Sequence, residues 1–395
     1  MSDAPEPLIL NVGPQHPSTH GVLHFRIHLD GEMITRVDPE VGYLHRSIEK
    51  ICERRTYEQI PVYCDRVDYT TAITAALGYV MAVESLYEPY ELKVPERAWY
   101  LRVILAELQR TASLLLWLGT FGLELGASTV YMYAFREREK ILDLFEEAAG
   151  ERITINYPAV GGFRHDVPEG WEERCRAFCA NFDRYLDEIE ALLTENPIFL
   201  ARTKGIGVLS KEDAIAYGIT GPNARASGVD FDLRRDEPWG PYSELDFKVP
   251  VRTEGDVFAR YVVRLEEMRE SVKIVLQALD KMPGGRVMAD LPLSRRELPA
   301  SFLEGKGLSG ATIRTGKPRL LTPRENVAYF RLEGPRGEYG VFLVSDGSPR
   351  PWRIRFRDNS FSSMSVIDHI TRGHKFADFI AIFASLDIVA PGLDR

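Results

Sequence analysis

Short runs rich in apolar residues, the second of them alternating with polar residues, predict a small β-sheet near the start of the chain. Three such runs occur at residues 8–12, 22–29 and 33–37. Asp30-Gly31 separates the last two runs and is a two-residue hairpin signal. The loop GPQHPSTHG at residues 13–21 contains two prolines and cannot form a regular helix. The pattern therefore places His16 and His20 on a tight turn beside this sheet.

A helical pattern replaces the alternation from about residue 45 to about residue 203. Apolar residues recur every three or four positions at 97–118 and at 137–149, where Gly150 ends the run. A third run has intervals of four and three residues, typical of a helix that packs along a neighbouring helix. Its members are Trp171, Cys175, Phe178, Phe182, Tyr185, Ile189 and Leu192.

The second half of the chain predicts one more long helix and a second sheet. The helix covers residues 256–281, and Pro283-Gly284-Gly285 ends it. Its predicted apolar face consists of Val257, Tyr261, Leu265, Met268, Val272, Val275 and Leu279. Strands are predicted at residues 326–332, 339–345 and 352–356, and two short helices follow them. These elements predict an α+β fold, with a central helical bundle and small antiparallel sheets from the N- and C-terminal regions.

We expect one domain over residues 1–395, divided into four regions. An N-terminal β region (1–40) carries the histidine turn, and a helical core (41–283) follows it. Residues 284–324 are rich in Gly, Pro and basic residues with weak periodicity, which predicts an irregular surface excursion. A C-terminal β/α region (325–395) completes the chain.

The amino-acid composition of the chain argues against some classes of function. The 395 residues include 58 acidic and 49 basic side chains, for a formal charge of -9. The chain therefore lacks the positive excess with which nucleic-acid-binding proteins displace counterions. Four cysteines in a chain this long do not form a disulfide framework, and no secretory leader opens it. These features favour a reducing, cytosolic compartment.

Residues 111–135 are apolar enough to be considered as a membrane span. Their only charged residue is Glu124, and their glycines, together with Ser128 and Thr129, favour a buried or broken protein helix instead. Any membrane attachment is therefore expected to be peripheral. Two interpretations of Glu124 remain open: a buried carboxylate that pairs with a cation or holds a proton, as in a proton relay, or one that meets solvent because the segment bends.

The usual cofactor motifs are absent from the sequence. It contains no GxxxxGK[ST], no GxGxxG after a predicted strand, and no HExxH, GxSxG or CxxC. We therefore expect the chain alone to hold neither a nucleotide nor an iron–sulfur cluster. His16 and His20 are four residues apart, but Pro17 argues against a helical metal site, and both histidines alternatively satisfy loop backbone groups. Cys175 and Cys179 have no further ligands nearby and are interpreted as structural.

Seven motifs, in order along nearly the whole chain, resemble the 49-kDa (D-type) subunit of proton-pumping NADH:quinone oxidoreductases, respiratory complex I. They are GPQHPSTHGVL (13–23), GYLHR (42–46) with EK at 49–50, YAFRERE (133–139), RASGV (225–229), MRESVKI (268–274), LVSDGS (343–348) and the final DR. That family is similar in fold to the large subunit of nickel–iron hydrogenases, whose two CxxC pairs hold the metal centre. Neither pair is present here, since ERR follows Cys52 and no cysteine lies beyond Cys179.

The resemblance implies a quinone pocket in place of the metal cavity, facing an iron–sulfur cluster held by the adjacent B-type subunit. The family's headgroup ligands correspond to His20 and Tyr69, each expected to hydrogen-bond one quinone carbonyl and to supply a proton. The acidic partner of that histidine corresponds to Glu124, which is expected to orient and charge the imidazole. Arg46 and Arg66 correspond to arginines near the neighbouring cluster, where positive charge raises its reduction potential.

The resemblance also implies a function and partners. The chain is expected to be the quinone-site subunit of an H⁺-translocating NADH:quinone oxidoreductase, inactive alone and peripheral on the cytoplasmic side of the cell inner membrane. Expected partners are the B-type cluster subunit, the C-type (30-kDa) subunit, the ferredoxin-like I-type subunit and the membrane H-type subunit, with no nucleic acid and no metal. The electron donor, NADH or a ferredoxin-like carrier, and the quinone stay open.

Several positions depart from the family pattern. Glu124 is one methylene longer than the usual Asp, and Leu115 and Glu40 stand where many members have histidine. The run STVY at residues 128–131 replaces a more usual TPFF. These departures leave an alternative, a catalytically silent hydrogenase-like scaffold or assembly subunit of a related membrane-bound oxidoreductase. An active nickel–iron hydrogenase is disfavoured because the cysteines are missing.

Overall fold

The N-terminal sheet forms as the alternation predicts. The computed structural model describes residues 8–16, 21–88, 91–291, 293–294 and 320–395. Strands β1 (Leu8–Val12), β2 (His24–Asp30) and β3 (Met33–Glu40) pair antiparallel in the order β1-β2-β3. Phe25 points from this sheet into the core, where its ring contacts Phe379 and Phe383 edge-on at about 5 Å.

Helices form the centre of the molecule. They are α1 (Ile48–Cys52), α2 (Pro61–Cys64), α3 (Ala72–Glu84), α4 (Glu96–Glu124), α5 (Ser128–Ala149), α6 (Trp171–Leu193), α7 (Pro197–Thr203), α8 (Lys211–Ala216), α9 (Gly221–Arg225), α10 (Leu233–Asp236) and α11 (Val257–Lys281). Single 3₁₀ turns occur at Tyr57–Gln59, Tyr69–Thr71 and Gly240–Glu244. Between α5 and α6 lies a two-stranded ribbon, β4 (Pro158–Ala159) and β5 (Gly162–Phe163). Helix α4 packs against both α5 and α11 and is the central helix of this bundle.

Helix α11 confirms the sequence prediction in both its bounds and its buried face. The carboxylate of Asp256 caps it by accepting a hydrogen bond from the amide N of Ala259 at 2.7 Å. All seven residues of the predicted apolar face are buried. The helix is buried on more than this face, because Arg260, Arg264 and Glu267 are buried as well.

The apolar stretch at residues 111–135 is divided between two helices. Helix α4 ends at Glu124, Gly126 adopts a φ of 89°, and α5 begins at Ser128. The predicted broken helix is therefore confirmed, and glycine provides the left-handed conformation at the break. In the part of the chain that the structure describes, no helix is both long and apolar enough to cross a membrane.

The buried stripe of α6 differs from the predicted one in its second half. Leu186 and Leu193 are buried, whereas the prediction placed Tyr185 and Leu192 in the seam; Leu192 is 41% exposed. The prediction used intervals that average 3.5 residues, but a straight helix has 3.6 residues per turn. The buried stripe therefore drifts by one position over four turns.

A second antiparallel sheet lies near the C-terminus. Strands β8 (Asn326–Gly334), β9 (Gly337–Ser345) and β10 (Arg353–Arg357) have the order β10-β9-β8 and confirm the three predicted strands. Gly334 pairs with Gly337, so Arg336 lies in the tight β8–β9 turn. Three helices follow where two were predicted, α12 (Asn359–Ser365), α13 (Ile367–Thr371) and α14 (Phe376–Leu386), before α15 (Ala390–Asp394). The extra helix results from a break at Val366, which separates α12 from α13.

The predicted surface excursion is described only at its flanks, because residues 295–319 lie outside the described residues. The flanking strands β6 (Leu293–Ser294) and β7 (Leu320–Leu321) pair antiparallel. One large cluster of buried apolar residues runs from Val12 to Leu393 and joins both three-stranded sheets to the helices. The architecture is thus the predicted α+β arrangement.

Candidate functional site

A cavity of about 280 Å³ opens where segments distant in sequence meet. Its walls come from the 3₁₀ turn after α2, from α4, from α5, from the β8–β9 turn and from the segment between α14 and α15. The lining residues are Tyr69, Thr70, Leu116, Thr120, Tyr131, Phe135, Arg336, Asp387, Ile388 and Val389. One side of the cavity is apolar and aromatic, and the other carries an arginine and a carboxylate.

Tyr69 lies in this wall because the chain is capped directly before it. Oδ1 of Asp68 accepts hydrogen bonds from the amide N and the hydroxyl of Thr70, at 3.1 and 2.7 Å. Gln109 on α4 donates to the carbonyl of Thr70 at 2.8 Å. Burial raises the pKa of the Tyr69 phenol above its ordinary value, although 43% of the residue is exposed. The phenol is therefore a protonated hydrogen-bond donor at neutral pH.

On the polar side of the cavity, Arg336 joins Asp387 to Asp68, and sequence reasoning did not identify this arginine. Its guanidinium donates to Oδ2 of Asp68 at 2.9 Å, to Oδ1 of Asp387 at 3.1 Å and to the carbonyl of Asp387 at 3.0 Å. All three side chains are about 5% exposed. Burial opposes the charge of Arg336, but the two carboxylates outweigh it and raise the arginine pKa. The only sequence signal was an arginine in a Gly-Pro-Arg-Gly turn.

A buried ionic network holds the turn that carries Arg336. Arg110 on α4 donates to the carbonyls of Glu333 and Gly334 at 2.6 and 2.8 Å. The same guanidinium bonds to the buried Glu107, which also accepts from Arg234 and from the hydroxyl of Tyr242. The cavity wall is thus anchored to the central helix by groups that water does not reach.

Glu124 lies between the two environments considered for it, a fully buried site and one open to solvent. It is the last residue of α4 and is half-buried. Leu116, Thr120 and Glu124 follow at intervals of four residues, so they lie on one face of the helix, with the first two in the cavity wall. The structure therefore places Glu124 one turn beyond the cavity, at a helix end rather than inside a continuous apolar helix.

His20 lies outside the described residues. Gly21, which follows it, is described: a side chain added at Gly21 would have its Cβ 3.0 Å from the Cβ of Ala390. Ala390 is the neighbour in sequence of the cavity residue Val389. The described end of the histidine loop thus lies against the segment that forms one wall of the cavity.

The structure does not bring Arg46 or Arg66 into the cavity wall. Both side chains are exposed. Arg66 pairs with the buried Asp65 at 2.5 Å, and burial raises the pKa of that carboxyl. Arg46 follows a loop in which the amide N atoms of Gly42 and Leu44 donate to the Asp394 carboxylate at 2.6 and 2.7 Å. These two arginines belong to the outer surface.

The departures from the family pattern have local partners. Leu115 is fully buried in the core, one position away from the cavity residue Leu116. Glu40 accepts a hydrogen bond from the ring of His24 at 2.7 Å and pairs with Arg26 at 3.0 Å. The bond to His24 lowers the pKa of the exposed Glu40 carboxyl. A carboxylate at position 40 therefore suits the basic residues of the neighbouring strand.

The four cysteines are free thiols buried in the core. Burial raises the pKa of Cys52 to about 12, and the hydrogen bond to Cys179 followed by burial raises the pKa of Cys175. A group of three or more metal-ligating side chains does not occur among the described residues. These environments are those of structural cysteines.

Comparisons with known proteins cover nearly the whole chain. Residues 124–395 match the family model described as "Respiratory-chain NADH dehydrogenase, 49 Kd subunit". The chain is 48% identical over 393 residues to the D-type NADH-quinone oxidoreductase subunit of Geotalea uraniireducens (strain Rf4), which covers 99% of each protein. It is 47% identical over 393 residues to the D-type subunit of Geobacter sulfurreducens, again 99% of each. It is 43% identical over 390 residues to the D-type subunit of Clostridium beijerinckii, covering 99% of this chain and 98% of that protein.

Proposed function

The chain belongs to the family of the 49-kDa subunit of respiratory-chain NADH dehydrogenase, and from this premise we propose that it forms the quinone site of a proton-translocating NADH:quinone oxidoreductase. The proposed headgroup site is the cavity beside Tyr69. A quinone bound there takes two electrons from an iron–sulfur cluster in the adjacent B-type subunit, takes up two protons and leaves as a quinol. The chain itself is proposed to hold no cofactor.

The position of Tyr69 in the cavity wall carries this proposal. A quinone is a flat apolar ring with two carbonyl acceptors, and ligand sites of this kind combine apolar walls with a few convergent polar groups. Leu116, Phe135 and Val389 provide apolar surface in this cavity. The phenol, kept protonated by burial, donates a hydrogen bond to one carbonyl and stabilises the negative charge that develops on its oxygen.

The other catalytic roles are assigned from the family resemblance. His20 is proposed to hydrogen-bond the second carbonyl and to supply a proton. Glu124 is proposed to orient this imidazole and to return a proton to it after proton transfer. It lies on the same face of α4 as the cavity residues Leu116 and Thr120. The longer side chain of Glu124 suits its position at the helix end, one turn beyond the cavity.

The outer surface is proposed to meet the other subunits. Arg46 and Arg66 are exposed, as side chains that face a cluster in a neighbouring subunit must be before assembly. Their positive charge favours the reduced state of that cluster. The proposed partners are the B-type, C-type, I-type and H-type subunits, with the chain peripheral on the cytoplasmic side of the inner membrane. We also propose descent from a hydrogenase-like fold that lost its metal-binding cysteines.

Quinone reduction by the intact, membrane-derived complex tests the role of Tyr69. Tyr69→Phe keeps the ring and removes the donor, so we expect kcat/KM for quinone to fall by about tenfold or more. Tyr217→Phe is the matched control, because Tyr217 is similarly exposed, at 37%, and is not part of the cavity wall. Electron transfer from NADH to an artificial acceptor upstream of the quinone site should stay unchanged in both variants.

The same experiment separates the proposed function from the scaffold alternative. If Tyr69→Phe assembles and reduces quinone as fast as the unaltered complex, the headgroup role is wrong and a catalytically silent subunit becomes the better description. If upstream electron transfer also falls, the substitution has damaged assembly. Photolabelling with a quinone analogue then decides whether the cavity binds the headgroup.

A further inference from the structure

The C-terminal sheet has one covered face and one open face. Its inner face packs on α3, where a Cβ added at Gly78 would lie 3.0 Å from the ring of Tyr339. The outer face consists of alternate residues of the three strands, and all of them are exposed or half-buried. They are Val327, Tyr329 and Arg331 of β8, Phe342 and Val344 of β9, and Arg353, Arg355 and Arg357 of β10.

The register of the strands aligns these side chains in rows across the sheet. One row consists of Val327, Val344 and Arg353, and the next of Tyr329, Phe342 and Arg355. Each of these rows has apolar or aromatic side chains on β8 and β9 and an arginine on β10. The outer face therefore combines an apolar half with a cationic edge strand, and neighbouring rows can act on the same occupant.

Two cavities lie on this outer face. The smaller, of about 350 Å³, is lined by Tyr329, Arg355 and Phe361 among others. The larger, of about 610 Å³, is lined by Val327 and Trp352 among others. Trp352 is 70% exposed and Phe361 is 53% exposed, so each cavity has a large aromatic side chain open to solvent. Exposed aromatic side chains beside a cavity are typical of a binding surface.

The ring of Tyr329 gives the smaller cavity its floor. A Cβ added at Gly340 would lie 2.9 Å from this ring, so the ring lies across the sheet over the glycine. The Tyr329 hydroxyl donates a hydrogen bond to Oε1 of Glu338 at 2.7 Å, which fixes the ring in this position. The cavity is therefore part of the ordered structure of the hairpin, and an occupant meets a preformed aromatic surface.

Arg355 is the arginine of this face that has no carboxylate partner. Arg357 pairs with Glu338 at 3.0 Å, and Arg353 pairs with Glu53 at 2.9 Å. Arg355 is exposed and forms no ion pair within the described part of the chain. Covering an unpaired guanidinium costs free energy unless the covering group provides an anion. A carboxylate on the occupant meets this need, because its two oxygens match the forked donors of arginine.

The family of the chain favours another protein as the occupant. Its members are subunits of a larger oxidoreductase, so other subunits can cover a face that is open in the single chain. Tyrosine, tryptophan and arginine are the residues that contribute most to protein interfaces. A lipid surface suits this face less well, because lipid-binding patches contain roughly four to eight clustered cations, and Arg353 and Arg357 are already paired.

We propose that the outer face of the C-terminal sheet binds a neighbouring subunit of the complex through an acidic segment with apolar side chains. The segment places apolar side chains against Tyr329 and Val327, and one Asp or Glu carboxylate pairs with Arg355. This inference rests on the family of the chain and does not depend on the proposed quinone site.

Cysteine labelling in the intact complex tests whether the face is covered. Because the four native cysteines are buried, Val327→Cys adds an accessible thiol on the face. Ile215→Cys is the matched control, since Ile215 is 60% exposed against 57% for Val327 and lines neither cavity. We expect maleimide to label Val327→Cys on the order of tenfold more slowly in the complex than in the isolated full chain, and Ile215→Cys at similar rates in both. Equally fast labelling of Val327→Cys in both would overturn the proposal.

Photocrosslinking identifies the occupant. Benzoylphenylalanine introduced at position 352 of the intact complex should form a cross-link to a different subunit, and mass spectrometry should place this cross-link in a segment that contains Asp or Glu. A cross-link to a second copy of this chain, to phospholipid or to a segment without acidic residues would contradict the proposal.

Arg355→Glu tests the ion pair. We expect the cross-linked subunit to dissociate from the variant complex on the order of tenfold more readily in salt washes. Arg184→Glu is the control, because Arg184 on α6 is also exposed and forms no ion pair among the described residues. Equal retention of the subunit in the two variants would show that no acidic group meets Arg355.

Reversing the charge of the partner's carboxylate separates a lost ion pair from a misfolded chain. Replacing that Asp or Glu by arginine in the neighbouring subunit should restore assembly with Arg355→Glu, whereas damage to the fold would not be rescued. Failure of this rescue would overturn the ion pair even if Arg355→Glu does not assemble by itself. Tyr69→Phe should change quinone reduction but neither the labelling nor the retention, so the interface and the quinone site can fail separately.

Discussion

Replacing Arg336 by methionine removes the guanidinium that Asp68 and Asp387 share. Both carboxylates are about 95% buried in the native protein and lose their cation, while the carbonyl of Asp387 loses a donor. Breaking a buried ion pair by removing one partner costs about 3–5 kcal/mol of unfolding free energy. Because Arg336 serves two carboxylates, we expect the effect of Arg336→Met to lie at the upper end of this range. Arg336→Lys keeps a charge but not the forked geometry, so its effect should be intermediate.

The loss of stability in Arg336→Met should depend on pH. Without the cation, burial raises the pKa of each remaining carboxyl above its value in the unfolded chain, about 3.9. A carboxyl whose folded-state pKa is raised favours folding at low pH, and this contribution is lost as pH rises through that pKa. The deficit relative to the unaltered protein should therefore be larger at pH 8 than at pH 5.5, by about 1.4 kcal/mol for each unit by which a raised pKa exceeds 5.5.

Urea unfolding of the subunit within the purified complex measures this effect. A short protease pulse at each urea concentration, followed by immunodetection of this chain, gives the folded fraction at both pH values. Arg286→Met is the control, because Arg286 is 68% exposed and pairs with the exposed Asp290; its cost should be about 0–1 kcal/mol. Two results would refute the reasoning: a urea midpoint for Arg336→Met equal to that of the control, or a decrease in the midpoint that is the same at both pH values.

Three further predictions concern the surroundings of the site. A maleimide at pH 8 should label none of the four buried cysteines in the native complex and all of them after denaturation, as mass spectrometry would show. Gly337→Ala should lower the melting temperature of the complex, since its Cβ would lie 2.6 Å from Oγ1 of Thr220; Gly285→Ala, where the added Cβ meets nothing within 4 Å at a similarly positive φ, is the control. Asp394→Asn should increase hydrogen exchange at Gly42 and Leu44, which donate to that carboxylate; unchanged exchange would contradict the anchoring role.

Much of the fold could be predicted because its signals are local. The bounds and buried face of α11, the N-terminal hairpin and the break after Glu124 each depend on a few consecutive residues, through helix period, turn residues and glycine conformation. The errors were also local in origin. In the second half of α6, Tyr185 and Leu192 were each wrong by one position because the assumed intervals were those of a supercoiled helix.

The candidate site was predicted unevenly. Glu124 stood out in the sequence itself as a lone carboxylate in an apolar stretch, and His20 stood out in a turn with two histidines. Their roles came from the motif resemblance, and Tyr69 was identified by that resemblance alone. Arg336 and Asp387 were missed, because a single arginine in a turn and a single aspartate after a helix are ordinary surface features in a sequence. Their burial and mutual hydrogen bonds depend on contacts between residues 68, 336 and 387, which lie far apart along the chain.

The sequence by itself determined the class of fold, the family and most of the helices and strands, since backbone conformation follows mainly from neighbouring residues. Only the tertiary structure decided which polar residues lose their water and which of them share a cavity wall. Burial makes the difference: Asp68, Arg336 and Asp387 are ordinary charged residues in the unfolded chain, and their shared hydrogen bonds form only when distant segments exclude water around them.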